Sequence, residues 1–339
     1  MSSMTLGTMG FGGTGWASAV GRTDVDGARR QIDIARAAGV NLIDTADGYS
    51  NGASEEILGQ ALGKTRDDVL IATKVRMAMG DGPNDAGLSR HHIVRAAEAS
   101  LRRLGADHID LYQVHEWDGQ TPLEETLHAL DSLVSSGKVR YIGASNYSGW
   151  QLMKALWTAD RAGTQRFVSQ QIYYSLQARD AEDELVPVSI DQGLGILVWS
   201  PLAGGLLSGK YRKGEDAPAG SRRFEGWTEP PVYDEDKLYS TIDELVSIAG
   251  ARDVSAAQVA LAYTLSKPAV TSVIVGARTE EQLTNNLAAA SLQLSADEIA
   301  RLDLVSARPL AYPHWHQAKA ASDRLGVADL PLLAPHLQV

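Results

Sequence analysis

Gly195-Ile196-Leu197-Val198-Trp199 is apolar throughout, and so is Val273-Ile274-Val275 further along. A strand with one wet face alternates apolar and polar residues. These two do not, so both faces are covered, as in a parallel sheet enclosed by helices. Working outward, the other strand candidates are Thr5–Gly10, Asn41–Thr45, Val69–Lys74, Ile109–His115, Val139–Ala144 and Phe167–Gln171, with the quoted runs extending over Ile196–Ser200 and Ser272–Gly276. Between them, Val25/Ala28/Ile32/Ala35 and Ile93/Ala97/Leu101/Leu104 recur at helical steps. Eight strands, each followed by helix, predict a (β/α)8 TIM barrel rather than an open sheet.

Local punctuation agrees. Thr121-Pro122 with Glu124 reads as an N-cap, a proline at the first helical position and a capping-box carboxylate. Ser255…Gln258, Thr279…Gln282 and Ser295…Glu298 repeat the capping-box spacing, while Gly39 and Gly105 stand where helix C-terminal glycines belong. No linker divides the chain, so residues 1–339 are predicted to form a single domain. Two long irregular segments stand out: 201–231 after the seventh strand, a lid candidate at the catalytic face, and the tail 307–339.

With 31 Lys+Arg against 42 Asp+Glu the formal charge is −11, which argues against nucleic acid as a partner. The absence of cysteine removes disulfides, thiol nucleophiles and thiolate metal sites. No secretory signal or run of about 18 apolar residues is present, so the expectation is a soluble cytoplasmic protein without a membrane partner. Oligomeric state is not legible.

Gly10-Phe11-Gly12-Gly13-Thr14-Gly15 satisfies G-x-G-x-x-G after a strand. The helical pattern starts only near Asp24, however, and Asp44 lies 29 residues beyond Gly15 where about 20 is expected. A Rossmann unit is therefore not predicted. The glycines more naturally shape the first loop of the barrel.

Polar groups ending apolar barrel strands lie at the edge where barrel active sites sit. Asp44 ends the second strand, with Tyr49 in its loop; Lys74 ends the third and His115 the fourth. Neighbouring parallel strands are about 4.8 Å apart, so the four can converge. An ammonium near a phenol lowers its pKa and Asp44 would hold that ammonium, while His115 could orient a carbonyl. A structural ion pair is the plainer reading for any one of these residues. Four together on neighbouring strands point to acid catalysis at a carbonyl. Metal ligation is not predicted. His115, Glu116 and Asp118 cluster, but a continuing strand turns Glu116 away from His115, and His314-Trp315-His316 lacks a third ligand.

At these residues the sequence resembles the aldo-keto reductases, from about Thr5 to Arg308. The carriers are Leu6-Gly7-Thr8-Met9-Gly10-Phe11-Gly12, Asn41 to Ser50, Ala72-Thr73-Lys74, Ile109 to His115, Ile142-Gly143-Ala144-Ser145-Asn146, Ser200-Pro201-Leu202-Ala203-Gly204-Gly205-Leu206 and Val275-Gly276-Ala277-Arg278. The resemblance implies NADPH-dependent, reversible reduction of a small aldehyde or ketone. In it Tyr49 is the general acid, Lys74 tunes it, Asp44 pairs with Lys74 and His115 orients the carbonyl.

It also implies a cofactor site. Ser145, Asn146 and Gln171 would hold the nicotinamide carboxamide, and Trp199 would stack on the ring where relatives usually carry Tyr. Ser200, Leu202, Gly204 and Lys210 would wrap the pyrophosphate. Arg278, beside Gly276 and followed by Gln282 and Asn286, would meet the adenosine 2′-phosphate, favouring NADPH over NADH. A guanidinium ahead of a helix N-terminus suits phosphate on physical grounds as well. The alternative is an NADPH-binding regulatory subunit of the potassium-channel β type, which has the same fold. An unrelated metal-dependent barrel hydrolase or lyase is a further rival. Trp16, Trp117, Phe224, Trp227, Tyr312 and Trp315 are candidates to line the substrate pocket, and Gly48 leaves room beside Tyr49.

Overall fold

The computed structural model describes residues 1–14 and 19–337. Eight parallel strands close into a barrel in chain order: β1 (Met4–Gly7), β2 (Leu42–Asp44), β3 (Leu70–Val75), β4 (Ile109–Val114), β5 (Val139–Ser145), β6 (Ser169–Tyr173), β7 (Gly195–Trp199) and β8 (Val270–Val275). Each expected strand exists, with shifted ends. The first stops at Gly7 and the sixth runs two residues later than predicted, because apolar content marks a buried strand better than it marks where pairing ends.

The helices are α1 (Val25–Ala37), α2 (Ala53–Leu62), α3 (Arg90–Leu104), α4 (Leu123–Ser135), α5 (Gly149–Ala162), α6 (Leu185–Gln192), α7 (Glu235–Arg252), α8 (Ala256–Leu265), α9 (Glu280–Leu287) and α10 (Ala296–Val305). The tail is less irregular than expected, with short helices α11 (His314–Ala320) and α12 (Leu330–Leu333). Among the described residues no single helix is long and apolar enough to cross a membrane.

Ser255 and Ser295 form reciprocal capping boxes with Gln258 and Glu298. Thr279 accepts from the Gln282 amide, but the Gln282 side chain accepts instead from the Arg278 amide. Thr121 does not cap α4: its hydroxyl donates to Asp118 at 2.8 Å, drawn away by a carboxylate.

The period-two alternation of strands sends Leu42, Ala72, Leu111, Leu197 and Ile274 into the barrel interior, where they pack together. One step of two toward the C-terminal end, on that same inward phase, stand Asp44, Lys74 and Gln113. Lys74 is in register with Gln113, and Asp44 with Ala72. The apolar plug thus carries a polar layer at one end.

Candidate active site

Lys74 is fully buried and donates three ways: to Asp44 Oδ1 at 2.5 Å, to the Thr45 carbonyl at 2.9 Å and to the Tyr49 hydroxyl at 3.3 Å. The second Asp44 oxygen accepts from Gln171 Nε2 at 2.7 Å and from Gln113 Nε2 at 3.3 Å. Burial works against the Lys74 charge, but the Asp44 carboxylate and the Tyr49 oxygen together outweigh it and hold the ammonium above its ordinary range. Burial also pushes the Tyr49 hydroxyl up while Lys74 pulls it down; burial prevails. The net direction is therefore opposite to the lowering expected from Lys74 alone. The phenol remains protonated at neutral pH, as a proton donor must.

His115 lies with its ring edge-on to Tyr49, the centroids 5.9 Å apart. It sits one residue past the end of β4, although its amide still donates to the Val75 carbonyl at 2.9 Å. Burial, then the cations Lys74 and Arg76, hold its pKa well below the usual imidazole range, so the ring is neutral. Its Nδ1 is buried without a partner. A neutral ring can donate one N–H to a carbonyl oxygen without carrying charge into the site.

The loop that carries Tyr49 is held from behind by the glycine-rich segment. Ser50 and Asn51 adopt left-handed backbone conformations, and Ser50 Oγ donates to the Phe11 carbonyl while accepting from the Gly13 amide. Gly12, at φ +87°, approaches so closely that a Cβ would stand 3.0 Å from that of Ser50. Glycine is required there because a side chain at Gly12 would meet Ser50 and Ala53, the first residue of α2. Gly15 and Trp16 lie outside the described residues.

Sequence reasoning missed a buried acid in this loop. Asp47 is fully buried and neither carboxylate oxygen has a hydrogen-bond partner. The Gly48 amide favours its charged form without reaching hydrogen-bond geometry. Glu55, already engaged by Thr73 at 2.5 Å and Arg103 at 2.7 Å, adds a like charge nearby. Burial and then Glu55 push Asp47 up to about 8. A carboxyl whose folded-state pKa exceeds its unfolded value of about 3.9 takes up a proton on folding. Its cost is absent below about pH 4, grows by roughly 1.4 kcal/mol per pH unit through the window, and levels off near pH 8. Asp47→Asn is accordingly expected to unfold less readily than the parent at pH 8, with the difference shrinking by several kcal/mol toward pH 5. Urea unfolding at both pH values measures it; a difference independent of pH would contradict a protonated Asp47.

Tyr49 and His115 face a cavity of about 840 Å³ at the C-terminal ends of the strands. Ser145, Asn146, Gln171, Trp199, Ser200, Leu202, Gly204, Lys210, Gly276, Arg278, Gln282 and Asn286 all line it, whereas Asp44 and Lys74 stand behind Tyr49. The Asn146 amide is fixed at both ends, donating to the His115 carbonyl at 3.1 Å and accepting from the Trp199 indole at 2.9 Å. Trp199 stacks on Tyr173, centroids 4.9 Å apart. Segment 201–231 forms one wall through Ser221, Arg222 and Trp227.

Several expectations fail here. Of the loop and tail aromatics, Trp227 alone among the described residues lines the cavity. Trp117 packs against Tyr147 and Trp150, and Phe224, Tyr312 and Trp315 are exposed. Gly48 does line the cavity, but a Cβ there would meet Met77 at 3.1 Å. Glu116 does not turn away, because β4 ends at Val114 and the alternation ends with it. Asp118 is occupied by the Leu88, Gln120 and Thr121 amides, which hold its carboxyl low against the effect of burial.

Arg278 clasps two loops, donating to the Ala19 carbonyl, to Val20 at 3.2 Å and to Gly220 at 2.5 Å. Among the described residues neither Arg278 nor Arg222 has an ion-pair partner. Burial and then Arg278 lower the Arg222 pKa, so two guanidinium groups repel one another beside the cavity.

A (β/α)8 barrel with a buried carboxylate–ammonium–phenol array at the C-terminal mouth, opening on a cavity whose wall also carries Lys210, Arg222 and Arg278, fits an oxidoreductase. The chain belongs to the aldo/keto reductase family, whose model matches residues 3–307. It is 38% identical over 296 residues (85% of this chain, 88% of the relative) to a probable voltage-gated potassium channel subunit beta of Arabidopsis thaliana. Identity is also 38% over 315 residues (89% and 91%) to the uncharacterized oxidoreductase YrpG of Bacillus subtilis. A versiconal hemiacetal acetate reductase of Aspergillus parasiticus is 36% identical over 327 residues (89% and 93%).

Proposed function

We propose that the protein reduces an aldehyde or ketone with NADPH, reversibly, with Tyr49 as the proton donor. The observation that carries this reading is the Tyr49 hydroxyl, bonded to a buried Lys74–Asp44 pair and facing a cavity beside His115. NADPH, when bound, supplies the hydride. Tyr49 gives its proton to the carbonyl oxygen, Lys74 stabilises the phenolate left behind, and neutral His115 orients the oxygen. Asp44, with Gln113 and Gln171 bonded to it, holds Lys74 charged and fixed.

The preference for NADPH rests on Arg278 and Arg222. Both lack an acidic partner among the described residues, and a phosphate dianion would relieve their mutual repulsion. Asn146, Gln171 and Ser145 offer amide and hydroxyl groups for a carboxamide, and the Lys210 ammonium, with Ser200, Leu202 and Gly204 on the same wall, offers a charge for a pyrophosphate. Arg278→Ala is expected to weaken NADPH binding roughly ten- to hundredfold, and NADH by less than about threefold. Fluorescence titration of both cofactors checks it; equal losses would indicate a purely structural clasp.

The test of the whole reading is the initial rate of NADPH oxidation with 4-nitrobenzaldehyde, using metal-free protein and Tyr49→Phe as control. A second reading, an NADPH-binding regulatory subunit, is favoured by the likeness to proteins named as channel β subunits. Tight NADPH binding with negligible turnover across aldehydes would support it.

A further inference from the structure

The charges lining the cavity are segregated. Lys210, Arg222 and Arg278 belong to the long loop and the exit of β8. The loops after β2, β3 and β4, which carry Tyr49 and His115, contribute Gly48, Met77, Ala78 and one acid, Glu116. The other acid on the wall, Glu229, is exposed and packs its carbonyl toward Gly204, on the cationic side.

Glu116 has no structural task that would account for it. Among the described residues it makes no ion pair and no hydrogen bond of good geometry; Arg76 and the Asn146 amide act on it from nearby. Arg76 stands behind it, its Nε buried without a partner, and does not line the cavity. A ligand therefore meets the Glu116 carboxylate before it meets the Arg76 guanidinium.

We propose that Glu116 is a specificity-determining residue, which makes the substrate end of the cavity select carbonyl compounds bearing a cationic or hydrogen-bond-donating substituent and reject those bearing a carboxylate. The proposal rests on the reading of this cavity as a carbonyl-reducing site. A carboxylate substituent would be held beside Glu116 in a partly desolvated pocket, where like charges repel several times more strongly than in water. An ammonium in that position gains by the same amount, and a hydroxyl gains a charged acceptor.

Three aldehydes carry the charge in the para position: 4-carboxybenzaldehyde, 4-nitrobenzaldehyde and 4-(trimethylammonio)benzaldehyde. The carboxylate withdraws electrons far less than the other two groups, so each kcat/KM is divided by the rate of the same aldehyde with borohydride before ratios are taken. The wild-type protein is expected to favour the cation over the anion by roughly tenfold or more in kcat/KM. Glu116→Gln is expected to bring that ratio to one or below, since Arg76 then supplies the nearest field, and Glu116→Lys to reverse it. Calorimetric titration of the three compounds into NADP+-loaded protein reads the same ordering without turnover. If none is reduced but the cation binds tighter and Glu116→Gln abolishes that order, the reductase reading fails and the assignment of Glu116 stands. A cation-to-anion ratio unchanged in both variants overturns it.

Discussion

Lys74→Met is expected to lower the unfolding free energy by about 3–5 kcal/mol, the usual cost of leaving one member of a buried ion pair without the other. Nothing else replaces the ammonium. Asp44 would retain only the amides of Gln113 and Gln171, and the Thr45 carbonyl would lose its donor. The double variant Asp44→Asn/Lys74→Met removes the stranded charge and is expected to recover a large part of the loss. Urea unfolding of both variants measures the difference. A single variant within about 1 kcal/mol of wild type would mean that water enters the array and solvates Asp44.

Tyr49→Phe is expected to lower kcat by roughly a thousandfold, within the range of a positioned general acid, while NADPH affinity changes little. The hydroxyl bonds to Lys74, and the ring keeps its edge contact with His115 when the oxygen is removed. Single-turnover measurement locates the loss in the chemical step, separating it from cofactor exchange. A kcat reduced less than tenfold would transfer the proton-donor role to another group.

How much of this was legible in the sequence depended on periodicity. The barrel could be read because strands covered on both faces are apolar throughout, and the Asp44, Lys74 and His115 positions because a polar residue ending such a run is conspicuous. Gln113 was legible in principle: it shares the inward phase of His115, two residues on, yet inside an apolar strand it invites no role until Asp44 is seen opposite. Asp47 and Glu55 were out of reach. They meet only because the loop after β2 folds back over α2, and no local pattern reports such a meeting. Glu116 was misread for a definite reason, since alternation was extended two residues beyond Val114, past the last ladder bond at His115. Trp117 and Phe224 failed similarly: aromatic content says nothing about which way a loop faces.

The early end of β4 also bears on how such a chain can diversify. His115 still borrows a ladder bond from Val75, whereas Glu116 is released from the sheet and makes no strong bond within the fold. Replacing residue 116 would exchange the surface a substrate touches while the barrel, the Lys74 array and the clasp at Arg278 stay as they are. Adjacent positions are thus tied to the fold very unequally: His115 is held by the Val75 ladder bond and by the Asn146 amide on its carbonyl, and residue 116 by neither.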